Sequence, residues 1–115
     1  MKNSLIELTR KITIRVPDGF KFISVDKIIR IEADGKFVKI YNMDMKAPIK
    51  TIGKMDEFDS ILINLGFFRC HRSHLVNLKC IEKFEHKSSL LITSNGCIPI
   101  SSEKRIIFKE MLLKT

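Results

Sequence analysis

Short runs in which every second residue is apolar, each cut off by turn residues, dominate this chain and restrict it to a sheet-rich fold. Lys11-Ile12-Thr13-Ile14-Arg15-Val16 puts Ile12, Ile14 and Val16 on one face, the pattern of a half-buried strand. Pro17-Asp18-Gly19 is a turn signal, and residues 20–25 resume the β pattern, so the two runs read as a hairpin. A third run covers residues 28–33. Asp34-Gly35 breaks it, and a fourth follows at 37–41, which leaves Asp34, Gly35 and Lys36 at a loop tip. Residues 47–51 can pair back as a short strand, and residues 81–85 alternate again. The runs at 90–93 and 97–100 flank Ser94-Asn95-Gly96, whose Asn-Gly pair is a strong hairpin signal. Pro99 cannot donate to a ladder and assigns the last strand to an edge.

Two stretches change period. Ile52, Met55, Phe58, Ile61, Leu62 and Leu65 recur at spacings of three and four, one face of a helix. Gly66 stands where a helix C-cap favours positive φ. The polar face of this helix carries Lys54, Asp56, Glu57, Asp59 and Asn64 and is net acidic, so it suits covering a sheet better than meeting DNA. Ser101 or Ser102 can cap a last helix, with Glu103 in its first turn, Lys109 and Lys114 toward its end, and a broad apolar face of Ile106, Ile107, Phe108, Met111, Leu112 and Leu113. The expected fold is mainly β, about nine or ten short strands with one or two short helices. It forms one domain over residues 11–115 behind a leader or linker stub at residues 1–10.

Charge narrows the partners. Lys and Arg number 21 against 13 Asp and Glu, a net charge of +8. That balance favours a polyanion, nucleic acid before an anionic membrane surface, although a solubilising surface charge looks the same in sequence. Three cysteines without a CxxC pair argue against a disulfide framework or zinc ribbon and for a reducing cytoplasm. No apolar run approaches the ~18 residues of a membrane span, and the first ten residues lack a signal-peptide pattern.

One stretch departs from plain alternation. Phe67-Phe68-Arg69-Cys70-His71-Arg72-Ser73-His74-Leu75-Val76-Asn77 leads from an aromatic pair into a donor-rich segment and back to apolar residues. It reads as an anchored strand carrying that segment to the surface. The run, followed by Leu78 and Ile81, resembles the signature of the LytTR DNA-binding domain of bacterial transcription regulators, with His74 at a usually aromatic place. The likeness continues in order through the Ile-Ile-Arg-Ile-Glu strand before Gly35, the Phe37-Val38 pair, the acidic-faced helix and Ile98-Pro99-Ile100-Ser101 before a basic helix. It covers the chain from about Lys11 onward.

The resemblance implies an elongated fold of small sheets that contacts DNA through loops inserted in the major groove rather than through a recognition helix. It further implies double-stranded DNA with repeated half-sites, a dimer on DNA, and a receiver or membrane sensor domain upstream; a chain without one is a stand-alone regulator or an excised C-terminal domain. Carried over position by position, the implied contacts are Lys36 and Phe37 in the first loop, Arg72 after the signature His, and Ser102, Lys104 and Arg105 where the last helix begins. Arg72 suits a phosphate or the O6 and N7 of guanine, and its bland alternative is an ion pair with the helix acids. Lys36 suits a phosphate or plain solvation. Lys104 and Arg105 occupy a helix start, where backbone N–H groups also favour phosphate, with room for one of the two to make contact.

Other readings of the same residues are weaker. Cys70, His71 and His74 form Cys-His-x-x-His, but on one extended strand His71 and His74 point to opposite faces, which disfavours a metal. His71 is better read as a structural histidine bonding Ser73, Asn77 or backbone, and Asn77 as tying down a turn. Phe67 and Phe68 read as core anchors. Cys70 and Cys97 lie on strands that could be neighbours; two buried inert thiols are the default, a redox-sensitive pair the alternative. The expected function is sequence-specific double-stranded DNA binding for transcription regulation, with no catalytic residues, no metal, no cofactor and no membrane contact by this domain. A nuclease using His71 or His74 as base would need a carboxylate cluster, and the acids are scattered. An RNA-binding or protein-interaction module with a basic surface is the remaining alternative.

Overall fold

The computed structural model describes residues 4–114; residues 1–3 of the expected leader and residue 115 of the expected domain lie outside the described residues. A short helix, α1 (Leu5–Thr9), is capped by Ser4 and leaves through Arg10 in the left-handed region at φ 55°. Strands β1 (Lys11–Val16) and β2 (Gly19–Ser24) then pair in register from Lys11↔Ser24 to Val16↔Gly19, the hairpin read from the alternation. Next come β3 (Ile28–Asp34), β4 (Phe37–Asn42), β5 (Ile49–Ile52) and helix α2 (Met55–Leu62). The second half holds β6 (Phe67–His71), β7 (His74–Asn77), β8 (Ile81–Glu85), β9 (Leu90–Thr93), β10 (Gly96–Pro99) and helix α3 (Ser102–Leu112).

All pairings are antiparallel and fall into three small sheets: β1-β2, β5-β4-β3-β7-β6 and β10-β9-β8. The molecule is elongated, 44 × 30 × 23 Å. Pro99 lies on an edge strand, since among the described residues β10 pairs only with β9. No helix among the described residues is long and apolar enough to cross a membrane.

Two hydrophobic cores fill this length. The first joins Ile12, Ile14, Ile31, Val38, Ile40 and Leu62 with Phe67 and Leu75, and α1 rests Ile6 against it. The second joins Leu91, Ile98, Ile100 and Phe108 with Phe68, Cys70 and Val76. The β6–β7 hairpin is therefore the wall between the cores. Successive strand residues face opposite ways, so Phe67 and Leu75 fill one core while Phe68 and Val76 fill the other. That double burial is why the Phe-Phe and Leu-Val doublets lack a two-residue period.

The structure corrects the single strand expected over residues 67–77. It is a hairpin, with Arg72 and Ser73 as a two-residue turn between His71 and His74. Neither turn residue takes positive φ and neither is Gly, Pro, Asn or Asp, so the usual turn signals are absent. The Ser73 N–H donates to His71 Nδ1 at 3.1 Å and closes the turn through a side chain instead.

Both expected helices also narrow. Ile52 belongs to β5, paired with Phe37 and 72 % exposed, and α2 begins at Met55. The Glu57 carboxylate accepts the Lys54 backbone N–H at 3.3 Å, one half of a capping box. Its buried stripe is Met55 and Leu62 with Phe58 packed beside them, and Ile61 faces outward. Gly66 ends the following turn at φ 90°, as its position after the apolar stripe predicts. On α3 only Phe108 is fully buried, with Met111 packed against the core; Ile106, Ile107, Leu112 and Leu113 are exposed. α3 meets the second core chiefly through Phe108, which stacks on Phe68 of β6 and meets Phe84 of β8 edge-on, so one narrow stripe of the helix is covered.

Candidate nucleic-acid interface

Strand order brings three sequence-distant regions to one end of the central sheet. β3 runs antiparallel to β7 with Glu32 opposite His74, and the Ala33 N–H donates to the Ser73 carbonyl at 2.9 Å. The β3–β4 turn at residues 35–36 and the β6–β7 turn at residues 72–73 therefore leave the sheet side by side. Gly35 makes the first turn possible at φ 62°, a conformation that costs other residues more. The Ser101 N–H donates to the Cys70 carbonyl at 2.9 Å, which docks the start of α3 at the same end. The Gly53 N–H donates to the Lys36 carbonyl at 3.2 Å and adds the start of α2.

Two open grooves cut this end and share Arg69. One, of about 580 Å³, is lined by Gly35, Lys36, Lys54, Asp56 and Arg69 among others. The other, of about 410 Å³, is lined by Arg69, His71, Arg72, Ser101, Glu103 and Lys104.

Arg72 is exposed, and among the described residues no acid pairs with its guanidinium. The ion pair weighed for it belongs to Arg69 instead. Arg69 Nη1 lies 2.5 Å from Asp56 and 3.5 Å from Asp59, and its Nη2 donates to the Arg72 carbonyl at 2.7 Å. Lys36 is exposed and holds its ammonium 5.5 Å from the Phe37 ring centroid. Lys50 lies 4.5 Å from the same ring. Phe37 is thus half-buried and set between two cations. Asp34 is neutralised by Lys39 at 3.2 Å; the hydrogen bond and the charge of Asp34 hold the Lys39 ammonium above its ordinary range.

At the start of α3, Ser101 is the cap, its Oγ accepting the Lys104 N–H at 3.2 Å. Ser102 is exposed beside it, and Lys104 is half-buried in the groove with Arg72. Arg105 is engaged elsewhere. Its guanidinium donates to the His86 carbonyl at 2.8 Å and to Ser89 Oγ and lies 5.9 Å from the Phe84 ring, clamping the β8–β9 turn where Ser89 takes φ 54°. The structure thus gathers Lys36, Phe37, Arg72, Ser102 and Lys104 at one end and gives Arg105 a strut's position.

The histidines are neighbours rather than opposed. The turn at residues 72–73 makes His71 and His74 cross-strand partners, with rings edge-on at 5.4 Å. Because His71 Nδ1 accepts a hydrogen bond, the neutral ring carries its proton on Nε2. Burial pushes His74 below the ordinary histidine range, partly opposed by Glu32 at 3.8 Å. No group of three or more His, Cys, Asp or Glu among the described residues could hold a metal ion. Asn77 ties down its turn, donating to the Ile28 carbonyl at 2.9 Å and accepting the Lys79 N–H at 3.1 Å.

Cys70 and Cys97 lie in different sheets and are not strand neighbours. Cys70 is fully buried, its thiol pushed up to about 12 by desolvation, whereas Cys97 is exposed. The default of two buried thiols therefore holds for Cys70 only; Ile98, the next residue, takes the inward place on β10.

Sequence reasoning passed over Arg69 and Lys50. A signal for Arg69 existed: Asp56 and Asp59 are three apart on a helix, hence on one face, and a cation between Phe68 and Cys70 needs such a partner. Lys50 had no signal, because its approach to Phe37 follows from the β4–β5 register.

The comparisons with known proteins agree in kind. The family of LytTr DNA-binding domains matches residues 18–113. Among solved structures, the LytTr DNA-binding domain of a Bacillus cereus protein described as a methyl-accepting/DNA response regulator is similar over 89 % of this chain and 95 % of its own, with 26 % identity and a TM-score of 0.71. No curated protein matches the chain.

Proposed function

The chain belongs to the LytTR DNA-binding domain family, so it binds DNA in transcription regulation, and from that premise we propose how it reads its target. The two turns at residues 35–36 and 72–73 and the start of α3 meet the major groove of double-stranded DNA, and the contacts are sequence-specific. The observation that carries this reading is the exposed Arg72 guanidinium, without an acid partner among the described residues, on a turn beside Lys36 and Lys104. Arg72 is the base reader, suited to O6 and N7 of guanine. Lys36, Lys50 and Lys104 take phosphates, and Ser102 and the His71 Nε2 proton add neutral donors. Phe37 holds the two lysines in place. Arg105 supports the β8–β9 turn instead of touching DNA.

The wider arrangement is a pair of domains on repeated half-sites, driven by an upstream receiver or sensor domain. A single end of this small domain covers a short sequence, and a second copy one helical turn away supplies the missing specificity.

Selection of bound duplexes from a random pool, at low and near-physiological salt, tests the proposal. The expected result is two similar motifs spaced by ~10 bp, bound with an affinity that falls with salt by a slope of about −0.9 per phosphate contact. Binding without an enriched motif, or equal capture of competing RNA, would overturn it.

A further inference from the structure

We propose that Arg69 is a positioning residue for DNA recognition: its guanidinium bridges α2 to the backbone of the β6–β7 turn and fixes the direction in which Arg72 points. The inference rests on the reading of Arg72 given above.

Three observations converge on it. First, β6 carries a bulge. Phe68 pairs with Val76 and His71 with His74, which leaves Arg69 and Cys70 opposite Leu75 alone. A bulge of two residues against one re-aims a side chain out of the regular alternation. Second, the re-aimed Arg69 spans two elements. Nη1 reaches Asp56 and Asp59, one turn apart on α2, while Nη2 donates to the Arg72 carbonyl at 2.7 Å. The Arg69 and Asp59 side chains are mostly buried, so their contact is less screened than a surface pair, whereas Asp56 is exposed. Third, the turn needs the restraint. It has neither Gly nor Pro, and among the described residues it is also tied by the Ser73 N–H to His71 and by the Ser73 carbonyl to Ala33. Neither of those holds the Arg72 carbonyl.

The bulge also links the turn to α3, because the Cys70 carbonyl accepts the Ser101 N–H. Consecutive residues of one bulge therefore register α2, the turn and α3 against each other. Arg69 has a second effect by charge: it offsets one of the two negative charges of Asp56 and Asp59, which would otherwise repel phosphates beside Lys36 and Arg72 more strongly. A lysine could offset the same charge but could not reach acid and carbonyl with one rigid fork.

Arg69→Lys separates these roles. We measure affinity for the selected site and for unrelated duplex, hydrogen exchange at the Ser73 amide of the free protein, and the melting temperature. The expected result is a specific affinity reduced about tenfold more than the non-specific one, with faster exchange at Ser73 in a folded protein. Equal losses on both duplexes, or unchanged exchange at Ser73, would overturn the proposal even if the melting temperature fell. Should Arg69→Lys fail to fold, Asp59→Asn loosens the far end of the fork and is read by the same assays. Arg72→Ala, run in parallel, keeps the two readings apart. If it leaves specific affinity unchanged, the DNA role of Arg72 falls, while Ser73 exchange still decides whether Arg69 positions the turn.

Discussion

Arg69 and Arg72 stand three residues apart and use the same side chain in opposite ways. Arg69 is drawn in by Asp56 and Asp59, and Arg72 is left with an open guanidinium. Arg72→Ala should therefore cost about 1–3 kcal/mol in specific affinity and little in stability, checked by fluorescence anisotropy on matched and unrelated duplexes beside urea unfolding. A stability loss with unchanged specificity would assign Arg72 to the scaffold. His74 predicts a pH effect. Burial holds its folded-state pKa below the ordinary 6.5, so the unfolded chain takes the proton first. Its contribution is then fully present above pH 6.5 and declines as the pH falls through that value, until the folded ring itself titrates. His74→Phe, which keeps an aromatic ring against His71, should flatten this part of the stability profile. Urea midpoints from pH 7.5 to 5 read the difference, and parallel profiles for the two proteins would refute the assignment.

At the scale of elements, α3 depends on one small hydroxyl. Ser101 caps it and hangs from the Cys70 carbonyl by its own N–H. Ser101→Ala removes the cap but not the backbone bond. The expected loss is about 1 kcal/mol of stability, with a weaker contact by Lys104 because its N–H is the one released. Thermal unfolding and DNA titration together check this, and an unchanged melting temperature would mean the cap is replaced by water. The capping serine and the Gly66 stop were legible because each is a local rule acting within three or four residues. The β6–β7 turn was not, since its closing bond comes from a His side chain and no turn residue marks it.

Across the whole molecule the β6–β7 hairpin joins two cores that would each be small alone. Damage on one side should therefore be felt on the other. Leu75→Ala empties a fully buried site of the first core and should cost 2–5 kcal/mol, a range of roughly that size being usual for such cavities. Hydrogen exchange should show β8–β9 amides losing protection along with those of β3–β4. Retained protection in β8–β9 would mean that the cores unfold independently.

The sequence by itself determined the strand-rich class, the β1–β2 and β9–β10 hairpins, the place of both main helices, the edge position of Pro99 and the family resemblance, because all of these rest on local periodicity and short motifs. The tertiary structure decided the rest. Antiparallel pairing of β3 with β7 set Lys36 beside Arg72, and the docking of Ser101 on Cys70 added Lys104. It also chose which arginines are engaged: Asp56 and Asp59 take Arg69, and the β8–β9 turn takes Arg105. Such choices follow from distances across the fold, between partners 10 to 46 positions apart, which no local pattern of residues encodes.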